Sequence, residues 1–480
     1  MTDSLWQLNA TQLLRGTQSG KFSCEDVMMS VIARIDEHNP ALNAIVNNCA
    51  DLAVAQSREA DKAIRRGDNL GPLHGLPITI KTNVDVEGQP TPNGIPNNKD
   101  VIATENSPVV QNMLDAGGVI VGRTNTPEFS MRITTDNPLH GRTYNPWCRD
   151  ASPGGSSGGA AVAAVAGFGP IHHGNDIGGS LRYPASFCGA VTLKPTFGRV
   201  PNFVGSSLPP ERGFLAQLMG VQGAVCREVT DLRIATRVMA SGDPRDPFWM
   251  PAPFYGDRLK EPIRVGITRE SYGYLIDQDI LSSLDHAAEH LTKAGYCVEE
   301  ITTPSMDSAA RTWFELLGTE LQASMMSDVA QFGSPVIQKI LGWYFDMVEI
   351  ADADAYQIGI KERTAVLREW SLLLDSYPLV LTPLFMRATP SWDCDARSYD
   401  QYKDICQAAT YSIGANFLSL PAGVVPIGLV NSLPSAIQII GRRYREDLVL
   451  DAMEVIESEV GIMAHQLWIN NPTMSNSTAQ

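Results

Sequence analysis

The stretch Pro153-Gly-Gly-Ser-Ser-Gly-Gly159 runs directly into an Ala-rich segment, Gly158 to Ala166, and Asp176-Ile-Gly-Gly-Ser-Leu-Arg182 follows it. A glycine-rich turn that opens a helix can adopt positive φ and aim its N–H groups at an anion or a carbonyl oxygen. In the second segment two glycines directly precede Ser180, so the backbone can approach a bound molecule closely. The N–H groups of Ile177, Gly178, Gly179 and Ser180 are then placed to face one oxyanion while Ser180 attacks a carbonyl carbon. Asp176 and Arg182 are spaced to hold that turn as an ion pair. Each loop also has a plainer reading: a Gly-Ser turn at a helix start, a phosphate nest, or a tight turn with an exposed Ser. A P-loop is excluded, because no Gly-Lys-Ser/Thr follows.

Upstream lies Gly75-Leu-Pro-Ile-Thr-Ile-Lys81, in which Lys81 ends the apolar run Pro77 to Ile80. Desolvation there disfavours the ammonium and makes a neutral amine available as a base, although a lysine at a strand end more often snorkels to solvent. A hydroxyl is a poor nucleophile near neutral pH and needs a base and oxyanion donors. Lys81 and the two Ser loops together supply both. Gly154 to Gly158 also satisfies G-x-S-x-G, the nucleophile elbow of α/β-hydrolase esterases, which requires an acid and then a His downstream. His172, His173, His286, His290 and His465 are available, none in a local context expected of a catalytic His.

From Leu73 to about Gly205, short apolar segments such as Pro77 to Ile80, Val119 to Gly122 and Ala190 to Leu193 alternate with Gly-rich turns and the Ala-rich helix. Buried strands alternating with helices indicate an α/β sheet. The first 70 residues read as a helical outer layer, with helices over Cys24 to Glu37 and Asp51 to Arg66. After a Pro-rich crossing at 242–253, Ile263 to Ile267 reads as a strand and Ile280 to Ala294 as an amphipathic helix. That unit is either a separate domain or a return to the same sheet. Residues 305–375 are largely helical and carry Trp313, Phe314, Trp343, Tyr344 and Phe345, while Leu379 to Leu381 and Ala436 to Ile440 read as further strands. The tail from Asn470 is polar and reads as frayed.

The chain has 480 residues, 44% of them hydrophobic and 19% charged, which fits a globular protein with a large core. A formal charge of -16 repels phosphate backbones and anionic lipid surfaces, so nucleic acid and membrane are excluded as expected partners. Eight scattered Cys without a C-x-x-C pair suggest neither a zinc site nor a disulfide framework, and no metal or cofactor is expected. Without a basic stretch and apolar core at its start, and with Ala160 to Ile171 too short and Gly-broken to span a bilayer, the chain is expected in the cytoplasm.

These residues resemble the amidase signature family, serine hydrolases that use a Ser-Ser-Lys triad. The resemblance covers nearly the whole chain. Its core runs from Gly75 to Val200 and includes Gly122-Arg-Thr-Asn-Thr-Pro-Glu-Phe129, Gly141-Arg-Thr-Tyr-Asn-Pro146, both Ser loops and Leu193-Lys-Pro-Thr-Phe-Gly-Arg199. Asn416-Phe-Leu-Ser-Leu-Pro-Ala422 and Gln438-Ile-Ile-Gly441 follow in the expected order. The resemblance implies one α/β domain over residues 1–480, with a central mixed twisted sheet covered by helices on both faces. Residues 1–70 would be its outer layer, 73–205 its signature core and 305–375 the region shaping the substrate pocket.

The family places its nucleophile 24 residues after the bridging Ser, the separation of Ser156 and Ser180 here. It therefore implies Lys81 as base, Ser156 as bridge after a cis peptide bond, Ser180 as nucleophile and Ile177 to Ser180 as the oxyanion loop. Ser157, Asp176 and Arg182 become structural supports, and Ser130 and Met131 substrate contacts. The expected reaction is hydrolysis of a small acyl or aryl amide through a Ser acyl-enzyme, by a monomer or a homodimer, with aromatic residues around 313–345 lining an apolar pocket. The alternatives are a glutaminase-like component of a tRNA-dependent amidotransferase and the G-x-S-x-G esterase. Asn175, where the family usually has Thr, and Ser419, Ser432 and Ser435, where it usually has Gly, depart from the pattern, and none of the four is expected to touch the triad.

Overall fold

A computed structural model describes residues 4–206 and 211–470. Within them, short runs rich in Val, Ile and Leu, bounded by Gly, Pro or helix ends, pair into one sheet of eleven strands. These are β1 (Ile45–Asn48), β2 (Pro77–Lys81), β3 (Val119–Thr124), β4 (Ile171–Asp176), β5 (Val191–Lys194), β6 (Val221–Cys226), β7 (Arg264–Ile267), β8 (Cys297–Glu300), β9 (Leu379–Thr382), β10 (Ala422–Val430) and β11 (Leu433–Gly441). Their spatial order is β1-β3-β2-β4-β6-β5-β10-β11-β9-β7-β8. β2 runs parallel to β3 and β4, and β7 parallel to β8 and β9, while the other pairs are antiparallel. The chain beyond the Pro-rich crossing thus returns to the same sheet.

Successive side chains of a strand point to opposite faces, and the core divides accordingly. Leu379, Leu381, Ile437 and Ile439 face helices Val229–Met239, Gln278–Lys293 and Glu446–Val460, which contribute Leu232, Leu284, Leu291, Val449 and Met453. Val380, Ala436 and Ile440 point the other way, into a second cluster with Tyr183 and Phe187 of helix Arg182–Cys188 and with helices Met306–Ser324 and Thr410–Phe417. Ala160 to Ala166 fill a third cluster against Val119, Val121 and Val225. The sheet is therefore mixed and covered on both faces.

The N-terminal helices run over Cys24–Leu42 and Ala50–Arg66, the first capped by Ser23, whose hydroxyl accepts from Asp26 N–H at 2.9 Å. Residues 305–375 form four helices, Met306–Ser324, Met326–Phe332, Pro335–Met347 and Ala353–Ser376. Of the tail expected to be frayed, residues 471–480 lie outside the described residues.

Candidate active site

Lys81 and Asp176 are the last residues of the neighbouring parallel strands β2 and β4. Such carboxyl ends are where open α/β sheets place their ligands. Lys81 is completely buried, and its Nζ lies 2.7 Å from Ser156 Oγ, 3.2 Å from Ser157 Oγ and 2.8 Å from Asn175 Oδ1. Among the described residues no carboxylate is ion-paired with it. Burial pushes the Lys81 pKa well below the usual lysine value; Asp176 opposes the shift and Arg212 adds to it. A buried amine that is not compensated by a carboxylate is a candidate neutral base.

Ser156 follows a cis Gly155–Ser156 peptide bond, as the resemblance implies. A Cβ on Gly155 would sit 2.1 Å from the Arg132 carbonyl oxygen, so the loop reaches Lys81 only with glycine there. Helix Gly158–Ala166, buried along its whole length, anchors the loop from behind.

Ser180 belongs to a turn folded around Asp176. The Asp176 carboxylate accepts from Gly179 N–H at 2.7 Å and Leu181 N–H at 3.1 Å, and from Arg182 Nε and Nη2 at 2.9 and 3.0 Å. Burial opposes its ionisation, but the Arg182 guanidinium outweighs this and holds the carboxyl at about 2. Arg182 also donates to Gln438 Oε1 at 2.6 Å, to the Ser412 carbonyl at 2.9 Å and to Asn416 Oδ1, so both C-terminal motifs meet it. Ser157 N–H donates to the Ser180 carbonyl at 3.1 Å and ties the two Ser loops together.

The turn corrects one expectation. Gly179, at φ +119°, has its N–H committed to Asp176, so it is not free for an oxyanion. The N–H groups of Ile177, Gly178 and Ser180 carry no such commitment among the described residues. Trp313 braces this turn: its indole N–H donates to the Ile177 carbonyl at 3.0 Å and its ring lies against Gly178.

Ser156 and Ser180 both line a cavity of about 550 Å³, with Asn83, Ser130, Met131 and Asn175. Its apolar wall is Phe129, Met131, Leu317, Leu321, Met325 and Phe332. Of the aromatic residues around 313–345 expected as the lining, Phe332 meets the cavity, whereas Trp313, Phe314, Trp343, Tyr344 and Phe345 are not among its lining residues and pack on one another or on Tyr402. The helix Met306–Ser324 turns Leu317 and Leu321 to the cavity and Trp313 to the Ser180 turn. Ser130 Oγ donates to Asn93 Oδ1 at 2.6 Å and accepts from Asn83 Nδ2 at 3.0 Å.

Asn175 is a second correction, since it does touch the Lys81 amine. Ser419 and Ser432 sit at φ +55° and +65°, backbone that favours glycine, and Ser435 bonds Ser283 on helix Gln278–Lys293, all away from Lys81. The esterase reading lacks its histidine. His172 sits between Thr79 Oγ1 and the Gly169 carbonyl, and His173 between Lys81 N–H and Gln222 Oε1. Burial holds both imidazoles at about 3, hence neutral, while His286 and His465 are exposed.

Residues not singled out from sequence are Asn83, which pairs with Asn175, and fully buried Arg123, which donates to the Ile80, Lys81 and Val84 carbonyls and secures the end of β2. Arg123 stood in a quoted motif without a role, and the departure at Asn175 was the available signal for the other. Among the described residues no group of three His, Cys, Asp or Glu is placed to hold a metal ion.

Comparison with known proteins agrees with this geometry. The pattern defining the amidase family matches residues 26–450. An indoleacetamide hydrolase of Bradyrhizobium diazoefficiens is 41% identical over 97% of this chain and 88% of its own. One component of the glutamyl-tRNA(Gln) amidotransferase of Moorella thermoacetica is 30% identical over 94% of this chain and 96% of its own. The structure of a bacterial aryl acylamidase of the amidase signature family superposes with a TM-score of 0.82 at 25% identity, over 96% of this chain and 97% of that one. The chain belongs to the amidase family and is a hydrolase of C–N amide bonds.

Proposed function

We propose that Lys81 is the base, Ser156 the proton relay and Ser180 the nucleophile of this amidase. The observation that carries the reading is the fully buried Lys81 amine, 2.7 Å from Ser156 Oγ and, among the described residues, without an ion-paired carboxylate. Ser180 Oγ attacks the amide carbonyl carbon as its proton passes to Ser156 and that of Ser156 to Lys81. The oxyanion takes hydrogen bonds from the uncommitted N–H groups of Ile177, Gly178 and Ser180. The C–N bond then breaks, and the leaving amine receives the proton back by the same route. Water attacks the Ser180 ester, releasing the acid and restoring the hydroxyl.

The substrate we infer is the primary amide of an aryl-substituted acetic acid, the class for which the 41%-identical relative is named. A cavity of about 550 Å³ with one apolar wall has room for a bicyclic ring, and ligand pockets of roughly 300–1,000 Å³ are the usual range. Purified protein is expected to release ammonia from indoleacetamide faster than from acetamide or glutamine. Turnover of glutamine alone, and only with partner proteins, tRNA and ATP, would favour the amidotransferase reading that the Moorella relative suggests.

The continuous sheet supports one domain over 1–480, with the 305–375 helices shaping the pocket. Net charge argues against nucleic acid and anionic lipid partners, and among the described residues no helix is long and apolar enough to cross a membrane. We read the compartment as the cytoplasm from the scattered cysteines, all free.

A further inference from the structure

Among the described residues the Lys81 amine has three polar neighbours, Ser156, Ser157 and Asn175, and the hydrogen bonds of the last two settle what those two can offer it. Ser130 Oγ gives its proton to Asn93 Oδ1, so it can only accept from Asn83, which must turn its NH2 group towards it. Asn83 Oδ1 then faces Asn175, whose Nδ2 donates to it at 2.9 Å. Asn175 is thereby left with Oδ1, an acceptor alone, 2.8 Å from Lys81 Nζ. Ser157 Oγ gives its proton to the Asn175 carbonyl at 3.3 Å, and so it too accepts from Lys81.

A neutral amine has two N–H donors and one lone pair. Asn175 Oδ1 and Ser157 Oγ take the two donors, and the lone pair is left for the shortest contact, Ser156 Oγ at 2.7 Å. We propose that Asn175, held in orientation by Asn83 and Ser130, is a positioning residue that aims the Lys81 lone pair at the Ser156 hydroxyl and so sets the direction of the proton relay. The inference rests on the base and relay assignment made above. It also joins the relay to the cavity, because Asn83, Ser130 and Asn175 all line it.

The experiment compares pH profiles of kcat/KM for Asn175→Asp, Asn175→Ala, Asn83→Ala and Lys81→Ala on an arylacetamide, with thermal unfolding as the check of folding. The other charged or titratable groups near Lys81 are Asp176 from β4, Arg212 from the cavity wall, and His173 and Arg123 from the neighbouring strands. They stay in place in the Asn175 and Asn83 variants. A carboxylate at 175 favours the ammonium, and opposite charges at such range shift a pKa by about 1–3 units. The ascending limb of the Asn175→Asp profile is therefore expected to move up by about 1–3 pH units. In Asn175→Ala, kcat falls by about tenfold or more with KM nearly constant. Asn83→Ala lowers kcat in the same way and serves if a 175 variant does not fold. An unmoved limb in Asn175→Asp, or wild-type kcat in both alanine variants, overturns the proposal while an inactive Lys81→Ala leaves the base assignment standing. An active Lys81→Ala removes the assignment itself.

Discussion

Arg182 grips Asp176 with two parallel hydrogen bonds, Nε to Oδ2 at 2.9 Å and Nη2 to Oδ1 at 3.0 Å, with both side chains wholly removed from solvent. The carboxylate also fixes the turn that carries Ser180, and the guanidinium also fixes Gln438, Asn416 and the Ser412 carbonyl. One ion pair thus joins the Ser180 turn to helix Thr410–Phe417 and strand β11. Breaking a buried pair by removing one partner strands the other charge and costs about 3–5 kcal/mol. Asp176→Asn and Arg182→Met should each lower unfolding stability by that order in urea titration, and each should slow acylation.

Stability should fall on both sides of mildly acidic pH. Asp176 is held at about 2, below its unfolded value of roughly 3.9, so its contribution is full above about pH 4 and is lost as pH falls through 2. Asp231 and Glu457 are pushed up to about 8, first by burial, with repulsion from Glu228 adding to both. Their folded values exceed their unfolded ones, so the unfolded chain binds fewer protons and stability is lost as pH rises from about 4 through 8. Urea midpoints measured from pH 2 to 9 should peak near about 4, and Asp231→Asn should flatten the alkaline decline.

Gly155→Ala should disable the Ser156 loop. Its Cβ would meet the Arg132 and Thr134 carbonyl oxygens at 2.1 and 2.7 Å, backbone atoms that cannot swing aside. Overpacking of this kind typically costs about 1–3 kcal/mol. Thermal unfolding should show that loss, and kcat should drop far more than the same loss at a remote site would cause.

Much of this was legible because chemistry and chain order coincide. Lys81, Ser156 and Ser180 each sit in a distinctive local pattern, and the apolar runs Pro77 to Ile80, Val119 to Gly122 and Leu379 to Leu381 read as strands, which the structure extends to Pro77–Lys81, Val119–Thr124 and Leu379–Thr382. β4 did not: Ile-His-His-Gly-Asn-Asp is mostly polar, yet nearly all of it is buried, because each polar side chain finds a hydrogen-bond partner that no periodicity reveals. β6 and β10 are interrupted by Gly or Pro, and β8 ends in two glutamates at the sheet edge. The aromatic residues of 313–345 signalled a pocket region, but which face of a helix meets a cavity depends on the packing of its neighbours. Asn175 was visible as a departure; its contact with Lys81 required the parallel pairing of β2 with β4.

The apolar wall should set acyl-group size. Leu321→Trp places a larger ring in the cavity and should raise KM for indoleacetamide by about tenfold, the equivalent of about 1.4 kcal/mol, while acetamide turnover changes little. Parallel steady-state assays of the two amides check this.

The central claim is that Ser180 carries the acyl group. Intact-protein mass spectrometry of wild type and Ser180→Ala, quenched during turnover of an arylacetic ester or amide, tests it most directly. Wild type should gain the mass of the arylacetyl group and Ser180→Ala should gain none. An adduct on Ser180→Ala, with turnover near that of wild type, would contradict the account.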